Sequence, residues 1–523
     1  MKNLLPARPL WSLAFLLLLA LLVRPAFASH LLGGEMTYRY IDDAGPAAAP
    51  LRYEVTLNLY HNCNNGATIH TADIAFYNRA TGAKVPLTAV NYSGALNGNA
   101  RFPEAFFSTC QMQYVPVGCT NTASAQTFQL QRLSGIVNLP SSTQGYYAMW
   151  TEGNRNNNIT NLASPSSLYM TLYATLSPQT TFNRSPVFSA GAIALLCVSD
   201  TTFYLANAVD ADGDRLEYAF GQPYSVSNLP ASFTPPPTVA AYTTTAGASF
   251  GTFSLSTPFG TGRGIVNHLN NATGVATFAT PNQGQYVVAI DVKEYRVING
   301  VEQLIGVTRR DIQLVVGICS AVSPAPTLPP PVPISGSPTS LPRSYTIEAG
   351  TAQTIPISVT QRGTVKNPLS MTVSSVLLDG PGGYNATLNG SPGTANGATG
   401  TATITSTSNG SLLGNFVYTA SCSDARATPY DLAVTIEDKG CAGKTVYDVF
   451  RILVVKPQGP TAITGDAVVC GTTTSTYTAS GGTTPGVTWS VTGGTIVGSP
   501  TANPVQVQWN AAGTGTLSLQ GVS

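Results

Sequence analysis

Four acidic residues have the types and spacing that could do chemistry, and they form one short run: Asp210, Asp212, Asp214 and Glu217. Carboxylates at alternate positions around a glycine can converge on one hard cation, and Ca²⁺ takes about six to eight oxygen ligands of this type. The run is not an EF-hand loop, because Arg215 stands where that loop needs its glycine and Gly221 where it needs the bidentate glutamate. The alternative interpretation is an Asp-Gly turn whose carboxylates only accept hydrogen bonds from backbone amides.

Other residue types give little support to catalysis. His61 and His70 flank a polar loop that contains Cys63, which could suggest a zinc cluster or a Cys-His dyad, yet no C-x-x-C or H-E-x-x-H spacing accompanies them. Solvated histidines and a disulfide cysteine explain this group better. A serine nucleophile would need a G-x-S-x-G elbow in an α/β setting, and we expect neither in this chain. We therefore predict that the chain is not an enzyme.

Two aromatic clusters suggest a second kind of site. They are Tyr146, Tyr147 and Trp150, and Tyr218, Phe220 and Tyr224. Exposed on a sheet or loop, such rings could stack on sugars and form a carbohydrate-binding face. Strand aromatics more often lie in the core, because each buries a large apolar area. We predict core positions for both clusters, and for Trp489.

The N-terminus is typical of a secretory signal. Lys2 and Arg8 precede a nearly unbroken apolar run over residues 10–23, and small residues follow at Ala26 and Ala28. The run is shorter than the roughly 20 residues that cross a bilayer, and no later stretch is apolar enough to span one. We therefore expect a secreted or surface-attached chain that begins near Ser29 and has no membrane span.

Eight cysteines in an exported chain indicate disulfides rather than free thiols. The spacing suggests three pairs: Cys110 with Cys119, Cys197 with Cys319, and Cys422 with Cys441. Cys63 and Cys470 remain, and Cys63 could displace either member of the first pair. Connectivity cannot be deduced from the sequence alone.

Charge and periodicity define the fold class. The 523 residues hold 25 Lys and Arg against 24 Asp and Glu, so no basic patch argues for nucleic acid or an anionic membrane. Apolar and polar residues alternate over 52–60 and 168–176, which is typical of half-buried strands. Asn-Gly and Asp-Gly turns recur between the apolar runs. We predict an all-β chain of tandem immunoglobulin-like β-sandwich domains joined by a Pro-rich linker.

The predicted linker is the sharpest boundary, since residues 320–343 hold eight prolines in 24 positions and should form an extended spacer. Residues 274–316 and 414–455 repeat one order of strand, strand, loop and strand, which suggests two sandwiches of the same kind. The predicted parts are a signal peptide (1–28), an N-terminal β-sandwich (29–182), a second sandwich (183–319), the linker (320–343), an immunoglobulin-like sandwich (344–456) and a last domain (457–523).

Several segments resemble large surface proteins of gliding, type IX-secreting bacteria of the Bacteroidota type. The opening SHLLGGEMTY at 29–38, the strand at 53–60 and Cys63 are similar to their N-terminus, although those proteins place Arg-Asp where this chain has His61 and Asn62. Residues 185–316 resemble their cadherin-like domain, including the Asp-x-Asp-Gly-Asp turn. Residues 488–515 resemble a PKD-like domain that lacks its usual last strand and cysteine.

The resemblance implies a cell-surface or secreted location associated with the outer membrane, and an association with gliding motility. It also implies a Ca²⁺ site at the sandwich edge, in which Asp291 or Asp311 would complete the acidic run. Such proteins carry a C-terminal sorting domain that is not visible here, so we expect either a fragment or another means of retention.

We therefore expect a non-catalytic structural or adhesive protein whose domains are stiffened by disulfides and by Ca²⁺. Its partner would be an extracellular glycan or protein surface. The alternative is a carbohydrate-binding or accessory portion of a longer secreted hydrolase.

Overall fold

The computed structural model describes most of the chain between Leu31 and Val522. The described residues are 31–63, 69–112, 127–153, 155–192, 195–244, 249–318, 326, 328, 343–361, 366–396, 399–406, 410–440, 444–470, 472–484, 486–511 and 513–522. The predicted signal peptide, most of the predicted linker, and Cys119, Cys319 and Cys441 lie outside this part. We refer to residues 31–182, 183–318, 343–456 and 457–522 as the first, second, third and fourth regions.

The first region contains nine strands and a short 3₁₀ helix. These are β1 (Leu31–Asp42), β2 (Leu51–His61), β3 (Thr71–Asn78), β4 (Ala95–Leu96), β5 (Asn99–Phe107), β6 (Gln111–Met112), β7 (Thr127–Leu139), β8 (Tyr146–Glu152), the helix Pro165–Ser167 and β9 (Met170–Leu176). The strand order is β1-β2-β7-β5-β3-β8-β9. A strand of the second region, β18 (Val301–Gly317), pairs with both β9 and β1, so the pairings close a ring of eight strands.

The ring encloses one apolar core. Tyr53, Val55 and Leu57 of β2 are buried while the residues between them are partly exposed, because successive side chains of a strand point to opposite faces. Trp150 of β8 packs into the same core. Each large apolar side chain that is fully buried contributes about 1.5–3 kcal/mol. The alternation of apolar and polar residues over 52–60 therefore determines which face of β2 points into the core.

Two glycines let β1 lie between β2 and β18. A Cβ atom on Gly33 would lie 2.7 Å from the carbonyl oxygen of Asp311, and one on Gly34 would lie 2.8 Å from the carbonyl oxygen of Asn58. Real Cβ atoms essentially never approach a neighbour that closely. The Gly-Gly pair of the opening motif thus has a structural reason, which is the close approach of three backbones.

The second region continues the sheet of the first. Its strands are β10 (Val187–Phe188), β11 (Leu195–Cys197), β12 (Thr202–Leu205), β13 (Ala208–Val209), β14 (Arg215–Gly221), β15 (Val266–Leu269), β16 (Val275–Ala279), β17 (Gly284–Ile298) and β18 (Val301–Gly317). Strands β18, β17, β14 and β11 belong to the same 13-stranded sheet as the first region. The sheets β10-β13 and β12-β16-β15 are separate. One sheet therefore crosses residue 183, where the sequence suggests a boundary.

The third region is a β-sandwich. Its strands are β19 (Ser344–Glu348), β20 (Ala352–Thr360), β21 (Leu369–Ser375), β22 (Ala386–Leu388), β23 (Thr394–Asn396), β24 (Thr399–Thr405), β25 (Ser411–Thr419), β26 (Tyr430–Asp438) and β27 (Thr445–Val455), with a 3₁₀ helix at Cys422–Asp424. A six-stranded sheet, β19-β27-β26-β21-β24-β23, accompanies a three-stranded sheet, β20-β25-β22. Ile357 and Phe416 from the small sheet and Val373 and Val434 from the large one share a single core.

The fourth region is smaller. Its strands are β28 (Ala462–Thr464), β29 (Thr474–Ser480), β30 (Gly486–Thr492), β31 (Gly494–Val497), β32 (Val505–Trp509) and β33 (Thr516–Val522). Sheets β28-β29-β32-β31 and β30-β33 enclose a core around Trp489, which is buried as predicted. Its indole Nε1–H donates to the carbonyl oxygen of Ala502 at 2.8 Å.

The predicted all-β fold class is confirmed, and the third and fourth regions each contain two packed sheets, as expected of β-sandwiches. Among the described residues the only helices are the two short 3₁₀ turns. None of them is long and apolar enough to cross a membrane. The individual domain boundaries stay predictions, and the shared sheet shows that the first two regions are not independent of each other.

One predicted disulfide partner needs correction. Cys110 is bonded to Cys63, with 5.8 Å between their Cα atoms, and not to Cys119. The reason is that β2 and β5 both pair with β7, one on each side, so that the residues following the two strands lie close together. Sequence spacing does not reveal this proximity. Cys197 is also disulfide-bonded. Its predicted partner Cys319 and the pairing of Cys422 with Cys441 involve residues outside the described part, so both pairs stay predictions.

Candidate functional site

The acidic turn, residues 210–214, joins β13 to β14. Gly213 has a φ of 81°, a left-handed conformation that glycine adopts without strain. The buried Asp210 carboxylate holds the turn together, because its Oδ1 accepts hydrogen bonds from the amides of Asp212 at 3.0 Å and Asp214 at 2.7 Å. For Asp210 Oδ1, the interpretation as a backbone-capping carboxylate is therefore correct.

Arginines contact the other two aspartates of the turn. Arg296 of β17 donates through Nε and Nη2 to both carboxylate oxygens of Asp214, at 2.7 and 2.6 Å. Arg184 donates through Nε and Nη2 to Oδ1 of Asp212, at 2.8 and 2.6 Å, and its backbone amide donates to Oδ2 at 2.7 Å. Charge-assisted pairs with two parallel hydrogen bonds are among the strong ones.

Glu294 of β17 is the acidic residue that the sequence did not point to. It is fully buried, and it forms a cluster with Asp210 and Asp214 in which one ligand atom from each lies within 4.8 Å of the others. Its Oε1 accepts a hydrogen bond from Asn183 Nδ2 at 2.7 Å. Strand register explains its place, because Glu294 lies opposite Gly306 of β18, where a Cβ atom would be 2.1 Å from Glu294 Oε2.

Two oxygens of this cluster are left over. Asp210 Oδ2 and Glu294 Oε2 are buried and accept no hydrogen bond from another described residue, and the two carboxyl groups hydrogen-bond to each other when one of them is protonated. Burial raises the pKa of Asp210 to about 6. Burial, followed by the charge of Asp210, raises the pKa of Glu294 well above its usual range. Both shifts have the same physical cause, since a low-dielectric surrounding disfavours the charged form.

Glu217 and Asp291 do not join the cluster. Glu217 lies 3.6 Å from Arg215 and 3.7 Å from Lys293, in partly exposed ion pairs. Asp291 accepts two hydrogen bonds of 2.6 Å from Arg309, which lies opposite it on β18. These two expected ligands belong to ordinary ion pairs, because their strand register places a cation opposite or beside each of them.

Asp311 does not join the cluster either, since its two oxygens accept from Arg155 at 2.9 and 2.7 Å. The acidic cluster that the sequence predicts is thus present with a different membership. As arranged here the residues do not fit Ca²⁺, which needs about six to eight oxygens. Asp210 Oδ2 and Glu294 Oε2 accept no hydrogen bond from another described residue, and Arg296 already binds Asp214.

A row of buried ion pairs lies on β18, and two of its three pairs join the first region to the second. Three consecutive residues of β18 each pair with a different element: Arg309 with Asp291, Arg310 with Glu35, and Asp311 with Arg155. The guanidinium of Arg310 is 1% exposed and also donates to the carbonyl oxygen of Ala190 at 2.7 Å. Sequence reasoning missed this row, because its partners are up to 275 positions apart.

A second set of contacts joins the second region to the third. Leu205, Ala433 and Val449 are buried against one another. Asn207 donates to Asp431 at 3.0 Å, and Lys444 forms an ion pair of 2.6 Å with Asp200.

The acidic turn belongs to this junction. The hydroxyl of Thr428 donates to the carbonyl oxygen of Gly213, and the side chain of Arg426 lies over the same glycine. A cavity of about 270 Å³ remains between the two regions beside these contacts. The acidic turn therefore forms part of the interface between the second and third regions.

The remaining candidate residues, the aromatic clusters and His61, have structural roles. Tyr146, Trp150, Tyr218 and Tyr224 are buried, and Tyr147 and Phe220 are partly buried, so the core prediction holds for most of both clusters. The expectation of a solvated histidine is wrong for His61, which is buried and packs edge-on against Phe107, and burial lowers its pKa.

The letters of a G-x-S-x-G motif do occur at 247–251. A nucleophile elbow joins a strand to a helix. Ser249 instead lies in a turn between β14 and β15, and it is followed by an irregular stretch. This match to the motif is therefore in sequence only.

No known protein family matches the chain, and no curated protein matches its sequence. Among solved structures, a three-domain immunoglobulin fragment of titin covers 64% of this chain and 93% of its own length, at 9% identity and a TM-score of 0.18. The four N-terminal Ig domains of Dscam1 cover 80% and 87%, at 9% identity and a TM-score of 0.21. Human CDH23 EC21–23 covers 62% and 91%, at 16% identity and a TM-score of 0.17. Scores this low carry no argument about function.

Proposed function

We propose that this chain is a non-catalytic structural and adhesive protein of the cell surface or the extracellular space. The observation that carries the proposal is the use of its charged groups. Two buried ion pairs cross the junction between the first and second regions, Glu35 with Arg310 and Asp311 with Arg155. A group engaged in this way stiffens the molecule and is not available to a substrate.

The arrangement suits a protein that holds a binding face away from a surface and resists force. The sheet shared by the first two regions resists separation, because parting them breaks the β1–β18 backbone pairing together with two buried ion pairs. The third region adds an apolar contact and the hydrogen bond from Thr428 to Gly213. A stiff body of this kind keeps its far end at a fixed distance from its attachment point.

Secretion through the predicted signal, retention at the outer membrane and a link to gliding motility are further parts of the proposal. Their support is the N-terminal sequence and the resemblance of residues 29–63 and 185–316 to surface proteins of gliding bacteria. The partner is an extracellular protein or glycan surface. Buried rings such as Trp150 and Tyr218 do not favour the alternative of a carbohydrate-binding module.

Beads coated with the mature chain test adhesion. We expect them to bind one another, or to bind a bacterial or glycan-coated surface, more than beads coated with an unrelated β-sandwich protein of similar size. Pulling the chain by its ends should show the first and second regions unfolding together. Adhesion no greater than that of the control beads would overturn the adhesive role. Early separation of the two regions under force would overturn the stiffening role.

A further inference from the structure

The guanidinium of Arg296 lies among oxygen atoms of three kinds. It donates to the backbone carbonyl of Phe182 at 2.9 Å, to Asn183 Oδ1 at 2.7 Å and to both carboxylate oxygens of Asp214 at 2.7 and 2.6 Å. Its Nη2 also lies 3.6 Å from Asp212 Oδ2. Carbonyl, amide and carboxylate oxygens are the ligand types that a hard divalent cation takes from a protein.

Two more oxygens adjoin this group. Asp210 Oδ2 and Glu294 Oε2 are buried and accept no hydrogen bond from another described residue, although the two carboxyl groups hydrogen-bond to each other when one of them is protonated. One ligand atom from each of Asp210, Asp214 and Glu294 lies within 4.8 Å of the others. Asp210 and Glu294 are both more than nine-tenths buried, so their oxygens face the cluster and not bulk water.

We propose that the guanidinium of Arg296 is the built-in structural cation of the acidic turn, and that removing it uncovers a divalent-cation site. That site would be formed by Asp210, Asp214, Glu294 and the side-chain oxygens of Asn183 and Asp212. With Arg296 in place, its charge compensates the carboxylates and no metal is needed. Without it, like charges repel one another and a hard cation relieves the repulsion.

The consequence is a junction that is stiff in the absence of metal. Arg296 extends from β17, which is fixed by the whole length of the β17–β18 hairpin, so the cation is delivered by the fold and cannot be removed by a chelator. Thr428 of the third region bonds to Gly213 within the same turn. Stiffness of this junction is then independent of the calcium concentration around the cell.

The test compares the mature chain with Arg296→Met, which keeps a long side chain and removes the charge. Arg296→Lys keeps the charge, and Arg215→Met removes an exposed arginine that pairs with Glu302 near the same turn. Each protein is melted in EDTA and in Ca²⁺ at about 1 mM, the range in which extracellular calcium modules bind. Calcium binding is measured by calorimetry on the same samples.

We expect Ca²⁺ to leave the melting temperature of each of three proteins unchanged: the wild type, Arg296→Lys and Arg215→Met. Arg296→Met should melt several degrees lower in EDTA, regain most of the loss in Ca²⁺ and bind one ion. Adding Asp214→Asn to Arg296→Met should abolish that response. A wild type that binds Ca²⁺ and melts higher with it overturns the role of Arg296, whether or not Arg296→Met folds. A folded Arg296→Met that ignores Ca²⁺ overturns the uncovered site.

Discussion

Glu35 of β1 and Arg310 of β18 form an ion pair with 3.1 Å between Oε2 and Nε, and both side chains are almost completely buried. They lie directly opposite each other in the β1–β18 pairing. The opening Gly-Gly-Glu motif of the chain thus ends in an ionic contact with the second region. Gly33 and Gly34 bring the strands close enough for that contact.

Breaking this pair should destabilise the first two regions together. Arg310→Met leaves the Glu35 carboxylate buried and unpaired, and we expect a loss of about 3–5 kcal/mol in urea unfolding. The double variant Glu35→Leu, Arg310→Met should lose less than the single variant, because no unpaired charge remains. Arg39→Met removes an exposed arginine of β1 that pairs with Glu54 of β2, and should cost less than about 1 kcal/mol. Equal losses for Arg310→Met and Arg39→Met would contradict the buried pair.

The buried Asp210 predicts a pH dependence. Its pKa of about 6 in the folded chain exceeds its value in the unfolded chain. Between about pH 4 and pH 6 the folded chain therefore binds more protons than the unfolded chain, and the free energy of unfolding falls as the pH rises through this window. Asp210→Asn should flatten this slope and be more stable than wild type at about pH 7.5, by on the order of 1 kcal/mol.

Unfolding curves across that pH range, with exposed Asp43→Asn as the control, measure the effect. If Asp210→Asn is less stable than wild type at the higher pH, the charged carboxylate is stabilising and the assignment of a raised pKa is wrong.

The apolar contact between the second and third regions should be sensitive to a single charge. Val449 is 2% exposed, and Val449→Asp would bury an unpaired carboxylate against Leu205. We expect the two regions to separate and the radius of gyration in X-ray scattering to rise. Val468→Asp, at a site that is 85% exposed, should change nothing. Hydrogen exchange in β26 reports whether the third region itself stays folded, and an unchanged radius with β26 protected would refute the junction.

The Cys63–Cys110 bond should stabilise the first region. It closes a loop of 47 residues, and its removal by Cys63→Ser should cost about 2–4 kcal/mol. Cys470→Ser, at an exposed free thiol, is the matched control. Mass spectrometry of a non-reduced digest tests the pairing directly. A peptide that links Cys110 to Cys119 would support the prediction from spacing over the pairing seen in the structure.

Local patterns in the sequence were sufficient for the strands and for most of the core. Alternation over 52–60 identified β2 and its buried face, and aromatic content placed Trp150 and Trp489 inside. The Asp-Gly turn at 210–214 was also identified correctly, since Asp210 caps the amides of its own turn. Each of these features depends on neighbours only a few positions away.

The composition of the acidic site was decided by tertiary structure alone. Glu294 and Arg296 are more than 80 positions from Asp210, and nothing in their local sequence distinguishes them from Asp291 or Glu217. Register on the β17–β18 hairpin sets Glu294 over Gly306 and places Arg309 opposite Asp291. A shift of one residue would turn every side chain of the strand to the other face. Which charges meet is therefore fixed by long-range pairing, whereas which residues form strands is fixed by the sequence nearby.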